Sequence, residues 1–197
     1  MMNSMALAQP MPTIRKAASI RGHTLTLRNA NEADAAFIVS IRTHPTKQRY
    51  LSATSAEIAD QVAWLKRYAN SVGQAYFIAE DEQGLPSGTV RIYDAIGDSF
   101  CFGSWVTREG APLHHSVEAL LIVYHYALNV LGFNRSYFAV RHENRSVWSF
   151  MERFGGVRTR SEGEDYWYET QRAAVEKSFR QYAPLLPTPI AVSGLSH

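Results

Sequence analysis

The sequence of 197 residues has very little cysteine: Cys101 is the single one. One thiol excludes an intramolecular disulfide and any metal site built from several cysteines, and it is typical of a reducing compartment. Alternation along the surrounding residues places Cys101 on the face of a strand, where a buried thiol acts as a small hydrophobic side chain. We therefore expect neither a disulfide framework nor a metal centre.

The sequence also lacks a strong charge imbalance and a long apolar run. Its 20 Lys and Arg residues against 18 Asp and Glu residues give a formal net charge of +2, whereas nucleic-acid-binding domains carry a basic face or stripe. Polar residues, among them His125 and Asn129, interrupt the longest apolar run before it reaches the roughly 18 residues of a membrane span. We expect a soluble, cytoplasmic protein that binds no nucleic acid and no membrane.

The sequence does contain enough apolar side chain for one core, with 46% hydrophobic residues. Its length fits a single domain with irregular ends. Residues 1–22 are basic, contain no acidic residue and show no periodicity, so we expect a disordered arm, although a transit peptide has a similar composition. Residues 184–197 contain three prolines and are expected to form a disordered tail. Residues 23–183 would then form one domain.

The strongest local pattern lies in residues 100–132. An aromatic-rich strand is followed by a turn with Gly110 and Pro112, and then by a helix that is apolar on nearly every face. The helix is predicted over residues 115–131 and ends at Gly132, since glycine readily adopts the left-handed conformation after a helix. A helix this apolar must be covered on most sides. Its first turn follows a strand end, where α/β proteins usually bind their ligands.

The remaining periodicities give the order of the elements. Strands are predicted at residues 24–28, 75–80, 88–94, 100–106, 137–141, 157–160 and 166–170, and further helices near residues 31–43, 54–70, 144–154 and 171–182. A helix between residues 100–106 and 137–141 implies a crossover that makes these two strands parallel. The predicted fold is therefore α+β, with a mixed, mainly antiparallel sheet of about seven strands, a central parallel crossover and four to five helices.

This order resembles the GNAT superfamily of N-acetyltransferases, which transfer an acetyl group from acetyl-CoA to an amine. The most specific match is YFAVRHENRSVWSFMERFG at residues 137–155, a strand followed by an asparagine and a helix that ends at glycine. A second match is FGSWV at residues 102–106, followed by EALL at residues 118–121. The resemblance implies an acyltransferase with acetyl-CoA as co-substrate and a small-molecule or peptide amine as acceptor, and it is compatible with a homodimer.

The resemblance also implies a set of cofactor-binding residues. These are Trp105 and Val106 for pantetheine, His114, His115, Ser116 and Val117 for the pyrophosphate, and Asn144 for the CoA arm. Asn144 is also a natural N-cap for the helix that follows it. The sequence departs from the family pattern because the usual glycines of the pyrophosphate loop fall on His115 and Val117. Two interpretations follow: the backbone N–H groups still face the phosphates, or CoA binding has been altered or lost.

Acetyl transfer requires a deprotonated amine, and Glu118 is the first candidate for the base because it lies in the first turn of the apolar helix. The helix dipole alone also explains an acid there. His115 is the second candidate, with a reference pKa of about 6.5, and Asp94 with Tyr93 is the third. Binding of an amine that is already neutral, without a protein base, remains an alternative.

The departing thiolate also needs a proton. The superfamily often places a tyrosine on the helix after its parallel strand, and that position is Met151 here. Water or another side chain, such as Tyr124 or Tyr126, would have to replace it. Acceptor specificity is expected from residues 44–54 and from the aromatic residues 166–168.

The leading hypothesis is an acetyl-CoA-dependent N-acetyltransferase that acts on a primary amine of a small molecule, such as an amino sugar, or on a protein N-terminus. The alternative is a non-catalytic member of the same fold that binds a ligand as a sensor or interaction module. The altered pyrophosphate loop and the missing tyrosine favour this alternative.

Overall fold

The structure is a computed structural model that describes residues 11–187 and 189–196. In these ranges nine strands form one sheet. They are β1 (Ser19–Arg21), β2 (Thr26–Asn29), β3 (Ala75–Glu80), β4 (Pro86–Ile96), β5 (Ser99–Thr107), β6 (Arg135–Arg141), β7 (Val157–Glu162), β8 (Asp165–Gln171) and β9 (Ala191–Ser193). Their order in the sheet is β7-β8-β6-β5-β4-β3-β2-β1-β9. Every neighbouring pair is antiparallel except β5 and β6, which are parallel as expected from the crossover.

Five α-helices accompany the sheet in the part of the chain that the structure describes. They are α1 (Ala35–Arg42), α2 (Ile58–Ala69), α3 (Leu113–His125), α4 (Arg145–Phe154) and α5 (Arg172–Gln181). Helix α3 continues through a π-helical turn at Tyr126–Val130, and 3-10 turns occupy Glu32–Asp34, Gln48–Tyr50 and Ala183–Leu185. The predicted fold class is confirmed. No helix within the described ranges is both long and apolar enough to cross a membrane.

The helices cover both faces of the sheet, and strand β3 shows how the two faces divide. Phe77 and Ala79 belong to the larger core cluster together with the buried residues of α3. Tyr76 and Ile78 point the other way and pack with α1 and α2 in a second cluster. Side chains alternate across a strand, so the sheet separates an α3 face from an α1/α2 face.

Helix α3 lies at the centre of the larger cluster. Its residues from Glu118 to His125 are all buried, which explains why the sequence is apolar on nearly every side of this helix. The helix begins at Leu113, two residues before the predicted start. Beyond the π-helical turn the chain turns at Gly132 with φ of 87°, as the glycine signal predicted.

The prediction of a disordered N-terminal arm is wrong for the part that the structure describes. Ile14, Ala17 and Ile20 are buried in the core, and β1 pairs with both β2 and β9. The Lys16 ammonium donates to the carbonyls of Tyr68, Ala69 and Ser71 at the end of α2. Cations are favoured at this end of a helix. The same prediction for residues 1–10 falls outside the described residues.

The predicted disordered tail is wrong for similar reasons. Strand β9 pairs with β1, and Ile190 is buried beside it. Both strands have only three residues, which is too short for an alternating pattern to stand out in the sequence. Residues 188 and 197 of the predicted tail lie outside the described residues.

Candidate active site

The central feature of the site is the place where β5 and β6 separate. The two strands pair from Ser99 with Arg135 to Cys101 with Tyr137, and there the pairing ends although both strands continue. The backbone of β5 beyond Cys101 therefore has no strand partner on the side of β6. A gap of this kind offers free backbone donors and acceptors to an extended ligand.

A β-bulge bends β5 at this point. Thr89 of β4 faces Val106 and Arg91 faces Gly103, so that Val90 alone is opposite two residues, Ser104 and Trp105. Ser104 has φ of 48°, in the left-handed region that few residues other than glycine adopt. Bulges increase the bend and twist of a strand and are common next to active sites.

Two side chains hold the bulge in place. The Thr89 hydroxyl donates to the Ser104 carbonyl at 2.6 Å. The Arg42 guanidinium, at the end of α1, donates to the Ser104 hydroxyl at 3.3 Å. The strained backbone of Ser104 is thus fixed by contacts from β4 and from α1.

The bulge changes which face each residue of β5 occupies. Strict alternation along the predicted strand at residues 100–106 puts Ser104 on the face of Phe100 and Phe102, and Trp105 on the other face. In the structure Trp105 packs with Phe102 against the core on the α3 face, and Ser104 contacts Arg42 on the α1/α2 face. The predicted alternation is wrong beyond Gly103, because the extra residue of the bulge shifts the period by one.

Trp105 bridges the helices on either side of the gap. Its indole N–H donates to the carbonyl of Ser116 in the first turn of α3 at 2.9 Å. Its ring centroid lies 5.8 Å from that of Phe150 in α4. Among the predicted cofactor residues, the structure therefore brings Trp105 and Ser116 together, at the mouth of the gap.

The N-terminus of α3 has no side-chain cap. Pro112 occupies the N-cap position, and no side chain accepts from the first-turn N–H groups. The side chain of His114 is exposed in this turn. Gly110 precedes the helix with φ of 73° and has open space where a Cβ would lie. A helix start with free N–H groups and a partial positive charge is suited to phosphate.

His115 and Val117 point away from this exposed end. His115 is 6% exposed, and its Nδ1 is hydrogen-bonded to the Ser87 hydroxyl at 2.7 Å. Burial lowers the pKa of His115 below its usual value of 6.5, and the neighbouring His114 lowers it further. Val117 packs against the core. Val106 is buried and faces Thr89, so only its backbone is available to a ligand.

Asn144 precedes α4 at the predicted N-cap position, but its side chain makes no capping hydrogen bond. Its Oδ1 accepts instead from the Ser146 hydroxyl at 3.2 Å. The side-chain NH2 group of Asn144 therefore makes no hydrogen bond within the described residues.

Glu118, the first candidate for the base, is fully buried on the α3 face and has its carboxylate occupied. Oε1 accepts from the backbone N–H groups of His23, Thr24 and Leu25 at 2.7–2.9 Å, and Oε2 accepts from the Thr24 hydroxyl at 2.5 Å. A Cβ on Gly22 would lie 2.7 Å from Oε1, so glycine permits this close approach. The geometry favours Glu118 as the anchor of the β1–β2 turn over the expected role as base.

The candidates for the acid are equally enclosed. Tyr124 is hydrogen-bonded to the Ser136 hydroxyl at 2.6 Å and Tyr126 donates to the Arg15 carbonyl at 2.7 Å, and both are fully buried. Burial raises the pKa of both phenols. Met151 is also fully buried. None of these three side chains reaches the gap with a proton to donate.

A cavity of about 350 Å³ opens on the opposite, α1/α2 face, directly beside the bulge. Its walls come from α1, the segment before α2, one face of α2, and strands β3 to β5. The lining residues are Ile38, Arg42, Ser52, Ala53, Thr54, Ser55, Asp60, Gln61, Trp64, Arg67, Tyr76, Arg91 and Ser104. Its volume is typical of pockets for small molecules.

The sequence predicted only part of this cavity. Ser52, Ala53 and Thr54 belong to the segment expected to face the acceptor. Thr54 and Glu57 have the spacing of a capping box, but none forms, since α2 begins at Ile58 without a side-chain cap and the Thr54 hydroxyl accepts from Arg42. Residues 166–168, Asp94 and Tyr93 do not line the cavity. Tyr168 is instead buried against Phe138.

The residues that sequence reasoning missed are Trp64, Arg67 and Arg91. A signal existed, because Asp60, Trp64 and Arg67 recur at the spacing of one helix face with a polar and aromatic character unlike a core stripe. Arg91 stands between the apolar residues Val90 and Ile92 in the middle of a predicted strand. Neither signal reveals that the two elements meet.

Comparisons with known proteins identify the family of the chain. A family model described as "Acetyltransferase (GNAT) domain" matches residues 24–157, which is more than half of the chain. The apo structure of FdhC, a nucleotide-linked sugar GNAT, is 31% identical with a TM-score of 0.76, over 86% of this chain and 98% of that one. The chain belongs to the GNAT acetyltransferase family. It is an acyltransferase.

Two further GNAT structures share the fold at lower identity. A GCN5-related N-acetyltransferase from Brucella melitensis is 16% identical with a TM-score of 0.69, over 89% of this chain and 90% of that one. A variant of the spermidine N-acetyltransferase SpeG from Vibrio cholerae is 18% identical with a TM-score of 0.66, over 79% and 98% of the two chains. No curated protein sequence matches the chain.

The contacts of Glu118 generate a prediction on stability. Glu118→Ala removes the fully buried carboxylate that accepts from three backbone N–H groups, among them the buried N–H of Leu25, so the free energy of unfolding in urea should fall by about 3–5 kcal/mol. Glu118→Gln is the matched control: its amide oxygen retains these acceptor contacts, and the loss should be about 1 kcal/mol. An alanine variant that is as stable as the wild type but turns over slowly would restore Glu118 as the base.

The burial of His115 generates a prediction on pH. Its folded-state pKa is lowered, so the unfolded chain takes up a proton first as the pH falls through about 6.5. The associated stability is full above this value and is lost as the pH falls towards the folded-state pKa. His115→Asn should flatten the decline in unfolding free energy between about pH 7 and pH 5. His114→Asn, at an exposed position, should not; equal slopes in all three proteins would contradict the assignment.

Proposed function

We propose that this chain is an acetyl-CoA-dependent N-acetyltransferase whose acceptor is the primary amine of a small molecule of the amino-sugar class. One observation carries the proposal. The bulge at Ser104 and Trp105 connects two regions: the gap and uncapped helix start on the α3 face, and the cavity on the α1/α2 face. A cofactor in the gap and an acceptor in the cavity would meet at the bulge.

The residues of the gap fit a CoA molecule. The unpaired backbone of β5 around Trp105 suits the amides of pantetheine, and the N–H groups at the start of α3 suit the pyrophosphate. The departure from the family's glycine pattern has a structural explanation, since Gly110 makes the turn and the helix then begins at Leu113. This arrangement supports the interpretation in which the N–H groups around His114 still face the phosphates. Asn144 keeps an amide free for the CoA arm.

The chemistry follows from positioning. Acetyl-CoA supplies the acetyl group as an activated thioester. The chain holds the amine beside it, and such orientation supplies a large share of the rate in two-substrate reactions. Glu118 and His115 are buried on the α3 face of the sheet, opposite the cavity that would hold the acceptor. We therefore propose that the amine binds in its neutral form and that no side chain of α3 acts as its base. The departing thiolate is protonated by water, because Met151, Tyr124 and Tyr126 are buried.

Two points favour an amino sugar over a protein N-terminus. The similar protein FdhC is a nucleotide-linked sugar GNAT. The cavity of about 350 Å³ lies between α1, α2 and the sheet, and its size suits a compact molecule better than an extended peptide. The non-catalytic alternative loses much of its support, because the unusual loop retains a helix start that can bind phosphate.

The proposal predicts two separate responses to acetyl-CoA. Binding should raise the free energy of unfolding by about 2.7 kcal/mol when the free ligand is at 100 times its Kd. Thiol release should then depend on an amine acceptor, with amino sugars as the first compounds to test. Absence of a thermal shift at millimolar acetyl-CoA would contradict the enzyme. A shift without thiol release over a broad amine panel would favour the sensor.

A further inference from the structure

The cavity beside the bulge has an unbalanced charge. Three guanidinium groups, those of Arg42, Arg67 and Arg91, line it together with a single carboxylate, Asp60. Nine ion pairs occur among the described residues, and none of them includes any of these three arginines. The cavity therefore carries an excess of positive charge, which Asp60 offsets only in part.

Arg91 shows the imbalance most clearly. It rises from the middle of β4 and is half-buried, with its guanidinium 5.2 Å from the ring centroid of Trp64 and 4.5 Å from that of Tyr93. Its Nη2 donates to the Gln74 amide oxygen, while its buried Nε has no hydrogen-bond partner within the described chain. Aromatic rings and an amide orient a guanidinium but leave its charge in place. Unpaired donors of a half-buried cation are costly unless a ligand or water meets them.

Arg42 and Arg67 face the same space from the other walls. Arg42 donates only to neutral oxygens, those of Thr54, Ser52 and Ser104. Arg67 is exposed and lies on the same face of α2 as Asp60 and Trp64. The three cations thus converge from α1, α2 and β4 on one cavity. Converging guanidinium forks match the oxygens of a phosphate group better than they match a neutral sugar.

We propose that this cavity recognises an anionic phosphate group carried by the amine acceptor, with Arg42, Arg67 and Arg91 as the binding residues. The inference rests on the proposed function and names its substrate class: an amino sugar that bears a phosphate or a nucleoside diphosphate. Polyamines such as spermidine are disfavoured acceptors, since a cationic cavity repels their charged ends. The ring of Trp64 beside Arg91 forms an apolar wall for the rest of the ligand.

The first test measures binding without catalysis. The full chain is saturated with CoA, so that its own phosphate site is filled, and is then titrated with UDP, glucosamine 1-phosphate, inorganic phosphate and glucosamine by calorimetry. The phosphorylated compounds should bind at least about tenfold more tightly than glucosamine. Stronger binding of UDP than of glucosamine 1-phosphate assigns the site to a nucleoside diphosphate, and the reverse order assigns it to a simple sugar phosphate. Equal affinities for glucosamine and its 1-phosphate, with no binding of UDP, would overturn the proposal.

Variants then locate the site. Arg91→Gln should weaken binding of the tightest phosphate compound about tenfold, and Arg67→Gln about threefold because its side chain is exposed. Lys66→Gln is the matched control, since it removes the same charge from the neighbouring residue of α2 outside the cavity, and should leave binding unchanged. Asp60→Asn should strengthen binding of the phosphate compound, and a purely structural role of Asp60 would not produce an increase in affinity. If Arg91→Gln fails to fold, Arg67→Gln against Lys66→Gln decides, and equal effects of these two would contradict the site.

Kinetics separate this inference from the proposed function. The ratio of kcat/KM for glucosamine 1-phosphate to that for glucosamine should be high in the wild type and in Lys66→Gln, and it should fall in Arg67→Gln. Transfer to both amines at the same efficiency would leave the acetyltransferase intact and remove the phosphate site. Phosphate binding without transfer to any amine would keep the phosphate site and contradict the proposed acetyltransferase.

Discussion

The structure depends on the separation of β5 from β6 after three residue pairs. In a regular sheet the backbone of β5 would be satisfied by β6 along its whole length. Here the bulge at Ser104 turns the strand away from β6. The Thr89 hydroxyl and the Arg42 guanidinium hold the strained backbone of Ser104 in place through hydrogen bonds. The bulge also shifts the alternation of side chains along β5 by one residue. Trp105 contacts the helices beside the gap, and Ser104 lines the cavity.

This division assigns different physical tasks to the two faces. The α3 face supplies rigidity, with a nearly fully buried helix, an anchored β1–β2 turn at Glu118 and a neutral His115. Where its helix begins, the same face offers N–H groups without side-chain partners. The α1/α2 face carries converging arginines and an open cavity. Arg42 belongs to both tasks, since it holds the bulge and lines the cavity, so a change there affects the geometry and the charge of the site together.

Local patterns in the sequence were sufficient to predict the fold class. The apolar helix and the strands around it predicted the crossover, and the family resemblance followed from the order of elements. Strands β1 and β9 were missed because three residues carry no readable period, and the bulge was missed because one inserted residue changes no residue type. Glu118 attracted a catalytic role because an acid in an apolar helix stands out, whereas its actual partners lie almost a hundred positions away. The cavity was only partly foreseen, since Arg42, Arg67 and Arg91 come from three separate elements that only tertiary packing joins.

A crystal structure of the full chain with CoA tests the central claim most directly, because the claim is geometric. We predict that pantetheine extends along β5 beside Trp105, that the pyrophosphate lies against the N-terminus of α3, and that the thiol reaches the bulge at Ser104 next to the arginine-lined cavity. A CoA molecule bound elsewhere, or one whose thiol points away from the bulge, would contradict the account.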